Sequence, residues 1–341
     1  MDDFTAIDIF SGCGGLTTGL RAAGFNVLGA VDINRPACLA YKLNHPEVRV
    51  FVLDIRKLTT TFFTQTLEIE KGELGLLAGC PPCQGFSRMR TKNRTEPVED
   101  KRNDLIFDFI RLVGGLQPKV VMLENVPGLK EDWRFEKATR RLEKWGYQWA
   151  CEVINAADYG VPQRRKRMIL MASRLGPISI PLEKAVHKTV RDAIGDIPSP
   201  KRSNKPLHKL LAVHSDKVMQ RIRLVPKNGG SRSAWGEENQ LDCHKRLEGF
   251  RDVYGRISWD DVAPTITRFC VNPSKGRFLH PTQNREISLY EAAIFQSFPR
   301  SYEFPLELGR EKIASMIGEA LPPLLAEKQA CYLLKHILLS K

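Results

Sequence analysis

Residues 7–20, IDIFSGCGGLTTGL, read as an apolar strand, a glycine-rich turn and the opening of a helix. Gly12, Gly14 and Gly15 at that junction let the backbone pass close to a ligand, and the helix N-terminus offers free N–H groups. Asp32 ends the next apolar run, 20 residues beyond Gly12. At that spacing an acidic side chain meets ribose hydroxyls. Gly15 follows Gly14 directly, so the turn departs from the dehydrogenase spacing G-x-G-x-x-G. A nucleoside ligand without a pyrophosphate, such as S-adenosylmethionine, fits at least as well. Glycines that serve only tight strand–helix packing remain the bland alternative.

Working outward, the first 170 or so residues alternate strands and helices. The runs AIDIF (6–10), VLGAVDI (27–33), LGLLAG (74–79), VVMLEN (120–125) and RMILMAS (167–173) read as buried parallel strands. Leu16, Leu20 and Ala23 stand at helical spacing, as do the apolar residues of DLIFDFIRLVGGL (104–116). This alternation predicts an α/β fold with a doubly wound, mostly parallel sheet. From about Pro177 the pattern gives way to prolines, the Gly229-Gly230 pair and basic residues, which predicts a second, smaller, irregular lobe. Helical periodicity returns at 288–298 and 313–338.

Composition narrows the class. The chain has 341 residues, 42% hydrophobic and 27% charged, as an ordinary globular protein has. No apolar run approaches the roughly 20 residues a membrane span needs. The start, MDDFTAIDIF, is acidic where a secretory leader is basic, so the expected compartment is the cytoplasm. Eight cysteines are scattered with one close pair, which is no disulfide framework. The net charge of +13 is concentrated: residues 163–260 hold 21 Lys/Arg against 10 Asp/Glu. A local surplus of that size points to a polyanion, nucleic acid first, or else to a solvated basic face.

The close pair lies in GCPPCQGFS (79–87), at the C-terminal edge of an expected strand, where open α/β sheets keep their sites. A structural zinc site wants two further ligands, and Cys243-His244 lacks the spacing. A redox pair usually opens a helix, whereas Pro81, Pro82 and Gln84-Gly85 make a stiff turn. A buried inert cysteine is a third reading. The fourth is a single nucleophile, Cys83, on a proline-stiffened mount that holds a thiolate in attack geometry.

Five blocks in order, FSGCGGL with PCQGFS, LENV (123–126), VPQRRKR (161–167), SLYEAAIFQSFP (288–299) and IGEALPPLLAE (317–327), resemble the DNA (cytosine-5) methyltransferase family across almost the whole chain. The resemblance is to bacterial modification methylases, with a methyltransferase Rossmann-like catalytic domain at 1–182 and 285–341 and a target-recognition domain at 183–284. It implies methyl transfer from S-adenosylmethionine to C5 of a flipped-out cytosine in duplex DNA, through a covalent adduct of Cys83 to C6. Further branches of the likeness are a tRNA methyltransferase and a non-catalytic DNA-binding relative. A monomer is expected, either an orphan methylase or one paired with a cognate restriction endonuclease that acts separately, with no metal.

By the same resemblance Glu124 is the acid toward N3 of the base, and Arg165 contacts the base and steadies Glu124. Phe10 stacks on the adenine, Gly12, Gly14 and Gly15 line the methionine part, Asp32 takes the ribose and Asp54 the adenine amino group. Ile33, Ile55 and Leu105 wall the pocket, and Glu319 stands beside it. Ser87, Arg88 and Arg90 of the polar stretch 86–104 meet phosphates, with Gln163 and Arg167 assigned to local packing or the DNA backbone. The chain departs from the family at several places. Asp32 replaces a usual glutamate, and Glu319 follows Gly318 where asparagine is usual. Tyr290 and Ile294 stand where arginines are common, and Cys80 replaces a small residue.

Overall fold

The computed structural model describes residues 4–82, 100–240 and 252–340. Its contacts divide the chain into two compact units. The first takes residues up to Asn155, then Lys166–Lys184, then the chain from Leu321 onward; the second takes Ala156–Arg165 and Ala185–Ala320.

Among the described residues the first unit carries one sheet of seven strands: β1 (Thr5–Ile9), β2 (Asn26–Asp32), β3 (Arg49–Val52), β4 (Leu76–Gly79), β5 (Val120–Asn125), β6 (Gln148–Asn155) and β7 (Lys166–Ser173). Their order is β3-β2-β1-β4-β5-β7-β6. Pairs among β1 to β5 are parallel, while β7 runs antiparallel to both β5 and β6. All five apolar runs are strands, but RMILMAS is the antiparallel one, since a continuous apolar run reports burial and not direction. Two strands escape the apolar-run criterion. RVFV of β3 has no fully buried residue, and QWACEVIN of β6 mixes exposed and buried positions.

Among the described residues the helices of this unit are α1 (Gly15–Ala22), α2 (Arg35–Asn44), α3 (Thr60–Leu67), α4 (Leu105–Leu116) and α5 (Trp133–Lys144), with the last helix Pro323–Leu339. The α4 helix buries Ile106, Phe109, Ile110, Leu112, Val113 and Leu116 in the main core. Each such side chain stabilises by roughly 1.5–3 kcal/mol. Helix α1 is pinned against the last helix at Gly19, where a Cβ would stand 2.4 Å from the Pro323 carbonyl oxygen. That close approach brings the chain's end back onto its first helix. The expected helical stretch 313–338 is two helices, Arg310–Glu319 and Pro323–Leu339, because Pro322 and Pro323 interrupt the ladder.

Among its described residues the second unit is irregular, with short helices and isolated bridges in place of a sheet. Its backbone polar groups therefore need side-chain partners. Arg256, fully buried, supplies them: it donates to the carbonyls of Ile222, Val225, His280 and Gln283 and to Asn284 Oδ1. One guanidinium thus takes the place of a ladder. No helix among the described residues is long and apolar enough to cross a membrane.

Candidate active site

Register fixes which residues meet at the sheet edge. Ile9 lies opposite Val31 and Gly79, and Gly79 lies opposite Leu123. The next residue on each strand therefore forms a row: Asp32, Phe10, Cys80, Glu124. Gly79 has no room for a side chain, since a Cβ would stand 2.7 Å from the Ile9 carbonyl oxygen and 2.9 Å from the Phe109 ring.

The glycine turn is held by Asp32. Its Oδ2 accepts from Gly12 N at 2.8 Å and its Oδ1 from Asn34 N at 2.7 Å. Burial raises the Asp32 carboxyl above its ordinary range, and these backbone donors oppose the rise. Phe10 has φ 63° and Gly14 φ 95°, so the chain turns through the left-handed region on entering α1. For a phenylalanine that conformation costs about 1 kcal/mol or more, a strain typical of binding sites. Gly14 caps α1 without a side-chain hydrogen bond. Next to Asp32, Ile33 is 66% exposed, an apolar side chain held out at the strand end. Ile55 is buried, Leu105 half-buried at the start of α4, and Asp54 is paired with Arg56, whose hydrogen bond lowers its carboxyl.

Beneath the row lies Asp8, fully buried on β1. Its Oδ2 accepts from Thr17 Oγ1 at 2.7 Å, and that hydroxyl also meets Tyr41 at 2.7 Å. Oδ1 has no partner. Burial pushes this carboxyl up to about 7, the Thr17 bond working against it. Burial likewise holds the Cys80 thiol well above its ordinary range, reinforced by Glu124 and Asp8.

Glu124 is buried at the end of β5, and its Oε1 stands 2.7 Å from Arg167 Nε on β7. The resemblance assigned this part to Arg165, and the ion pair seen here is made by Arg167. Arg165 belongs to the second unit, is almost fully buried, and donates to the carbonyls of Ile266, Gly318 and Ala320 at 3.0, 3.1 and 3.2 Å. Strand β7 begins at Lys166, so Arg167 is the arginine carried alongside β5. Gln163 is also internal to the second unit. It donates to Phe295 O and Gln296 Oε1 and accepts from Ile266 N, a packing role.

Asn125 was not singled out in the sequence, although it lies inside LENV. Its Nδ2 donates to the Pro81 carbonyl at 3.0 Å and its Oδ1 accepts from Val126 N at 2.8 Å. The end of β5 thereby grips the proline loop that leads toward Cys83. Cys83, Ser87, Arg88 and Arg90 lie outside the described residues. In the second unit Glu319 is half exposed, 3.9 Å from Arg268, while Gly318 is packed so tightly on Thr267 that a Cβ would fall 2.1 Å from its carbonyl carbon.

Residues 4–335 match the family model of the C-5 cytosine-specific DNA methylases. The chain is 36% identical over 335 residues to the Type II methylase M.HgiDII of Herpetosiphon aurantiacus, covering 93% of this chain and 91% of that one. It is 34% identical over 341 residues to the Type II methyltransferase M1.HphI of Haemophilus parahaemolyticus, covering 97% and 87%. Among solved structures, a prophage-encoded DNA modification methyltransferase (E. coli) superposes with a TM-score of 0.75 at 24% identity, over 98% of this chain and 99% of that one. A DNMT2 variant from Spodoptera frugiperda gives 0.66 at 16% identity, over 98% and 99%; both show the shared fold. Fold and sequence together define the class, and the chain belongs to the C-5 cytosine-specific DNA methylase family. It is a DNA cytosine methyltransferase.

Proposed function

We propose that the chain methylates C5 of a cytosine flipped out of a specific duplex DNA sequence, with S-adenosylmethionine as donor, as a modification enzyme of the Type II kind. The observation that carries this reading is the row at the sheet edge, with Glu124 clamped by Arg167 and the Cys80–Pro82 loop tied to Asn125.

The residues present fit the donor. Ile33 and Phe10 offer apolar surface beside Asp32, and the uncapped start of α1 offers N–H groups to a carboxylate. When bound, the cofactor supplies an electrophilic methyl group on a sulfonium. Asp32 would take the ribose hydroxyls while keeping the Gly12 turn in place. Asp54 would serve the adenine edge only by sharing its carboxylate with Arg56.

Cytosine C5 is too poor a nucleophile to take a methyl group unaided. In the proposed sequence the Cys83 thiolate adds to C6, and negative charge develops across the ring toward N3. Glu124 donates a proton or hydrogen bond at N3, and Arg167 holds its carboxyl in place. C5 then takes the methyl group as its bond to the sulfonium sulfur breaks, leaving the donor a neutral thioether. C5 loses its proton to water, the thiolate is expelled and any N3 proton returns to Glu124, which restores the aromatic ring, Glu124 and Cys83.

The test is incubation of purified protein with labelled S-adenosylmethionine and duplex DNA carrying many sequences. Expected are label on DNA that bisulfite sequencing places at one cytosine context, and none with Cys83→Ala. Label on tRNA and not on DNA, or full transfer by Cys83→Ala, overturns the reading.

A further inference from the structure

On the first unit, outside the row itself, three cations lie on two aromatic rings. Phe107 of α4 and Trp133 of α5 stand 5.6 Å apart between ring centroids. Lys137 Nζ is 5.2 Å from the Phe107 ring and 5.6 Å from the Trp133 ring; Arg141 is 5.5 Å from Phe107, and Arg134 4.7 Å from Trp133. Trp133 is 54% exposed, an unusual state for the largest apolar side chain. The opposite face of α5, through Phe135, Ala138 and Leu142, is buried in the core, so this outer face is a surface.

The charges on that face are unequal in what they have to spend. Arg134 is engaged by Asp104 and Asp132, and Arg140 by Glu136. Among the described residues neither Lys137 nor Arg141 pairs with a carboxylate. Each lies instead on a ring, which orients its head group without neutralising it. Because the rings are already covered by these cations, they offer little face for stacking a base. What they present is a pair of preset positive charges.

We propose that Lys137 and Arg141, set on the rings of Phe107 and Trp133, contact the phosphate backbone of duplex DNA outside the recognition sequence. The proposal rests on the duplex-DNA reading above and extends it to a second surface. Charge complementarity selects the partner: two ring-held cations that pair with no carboxylate among the described residues match a polyanion, and a duplex is the regularly spaced one this enzymatic class handles. Position agrees. Trp133 follows the C-terminal end of β5, and Phe107 opens the helix that leads back to its start. Both rings therefore stand toward the sheet edge that carries Cys80 and Glu124. Preset head groups lose less freedom on contact than free lysines and arginines do.

The experiment measures binding of the full chain to a random-sequence 40-bp duplex by fluorescence anisotropy, from about 50 to 200 mM salt. Lys137→Ala with Arg141→Ala should weaken binding roughly tenfold at the low-salt end and lower the log–log salt slope by about 2, near 0.9 per lost phosphate contact. Trp133→Ala, which removes the platform and keeps both charges, should weaken binding about threefold with an unchanged melting temperature. Lys71→Ala with Lys335→Ala makes the same charge change on other elements of the same unit and should alter neither quantity. Equal losses from both pairs of substitutions would mean net charge alone and overturn the proposal. So would an unchanged slope, or a loss confined to single-stranded RNA or an acidic protein surface. A wild-type chain that binds no duplex at all overturns the DNA reading itself.

Discussion

Arg167 on β7 and Glu124 on β5 meet at 2.7 Å across an antiparallel strand pair. Both side chains are largely buried, so solvent screens the pair weakly and the arginine fixes where the carboxyl points. Two arginines of the same short block, two residues apart, thus have different work. Arg167→Ala should lower kcat by roughly two orders of magnitude, the scale of a misplaced acid, with the melting temperature little moved. Arg165→Ala removes three bonds to buried carbonyls and should destabilise the second unit by on the order of 3 kcal/mol. Parallel single-turnover assays and thermal melts of the two variants separate them; equal effects on both readouts would refute the division of labour.

Asn125→Ala should act through the loop that precedes Cys83. The substitution strips the Pro81 carbonyl of its donor in a buried place, at a stability cost of about 1–2 kcal/mol. A loosened mount also broadens the approach of the thiolate, so kcat is expected to fall about tenfold while cofactor affinity stays level. Isothermal titration with the cofactor and a turnover assay check both halves. A change confined to cofactor affinity would count against the loop argument.

Asp8 gives the enzyme a pH signature. Its carboxyl is held at about 7 in the folded chain against an ordinary 3.8, so between those values the folded state binds the proton and the unfolded state does not. Unfolding then releases a proton, and this group's contribution falls as pH rises from about 4 to about 7. A full proton changes stability by about 1.4 kcal/mol per pH unit. His45, lowered to about 4, and His280, lowered to about 3, work in the opposite direction, because the unfolded chain protonates them first as pH falls. The wild-type profile is therefore a difference of opposing slopes, and Asp8→Asn exposes one of them. Its denaturation midpoint should rise relative to wild type as pH goes from 5 to 7.5. A constant gap between the two profiles would show that Asp8 is ionised when folded.

How much of this was legible in the sequence follows from what each signal encodes. Burial writes itself as apolar runs, so the central strands could be read. Direction and edge position do not, so the reversal of β7 and the half-exposed β3 and β6 were invisible. The ordered blocks placed Phe10, Asp32 and Glu124, and the register brings them into one row with Cys80. Which arginine serves Glu124 depends on where β7 begins, a matter of one or two residues that no spacing rule settles. Asn125 and Asp8 were equally hidden: one is a short polar residue inside a motif, the other sits in an apolar run where its carboxyl looks like part of the strand.

The two cysteines of GCPPCQGFS should prove unequal. Cys80 sits in the row between Phe10 and Glu124, and its thiol is pushed up by burial first, then by the neighbouring carboxyls of Glu124 and Asp8. A thiol so placed stays protonated at neutral pH and is a weak nucleophile, since the thiolate is the reacting species. Serine keeps its size and hydrogen-bonding capacity, so Cys80→Ser should retain at least about half of wild-type methyl transfer, with a similar melting temperature. Cys83→Ser replaces the proposed nucleophile by a hydroxyl of far higher pKa and should reduce transfer by several orders of magnitude. A second readout separates chemistry from folding. A duplex carrying 5-fluorocytosine cannot release its C5 substituent as a proton, so it should trap a covalent protein–DNA band with wild type and with Cys80→Ser, and none with Cys83→Ser. Loss of the trapped band in both variants would mean that the cysteines act as a pair, and the single-nucleophile assignment would fall.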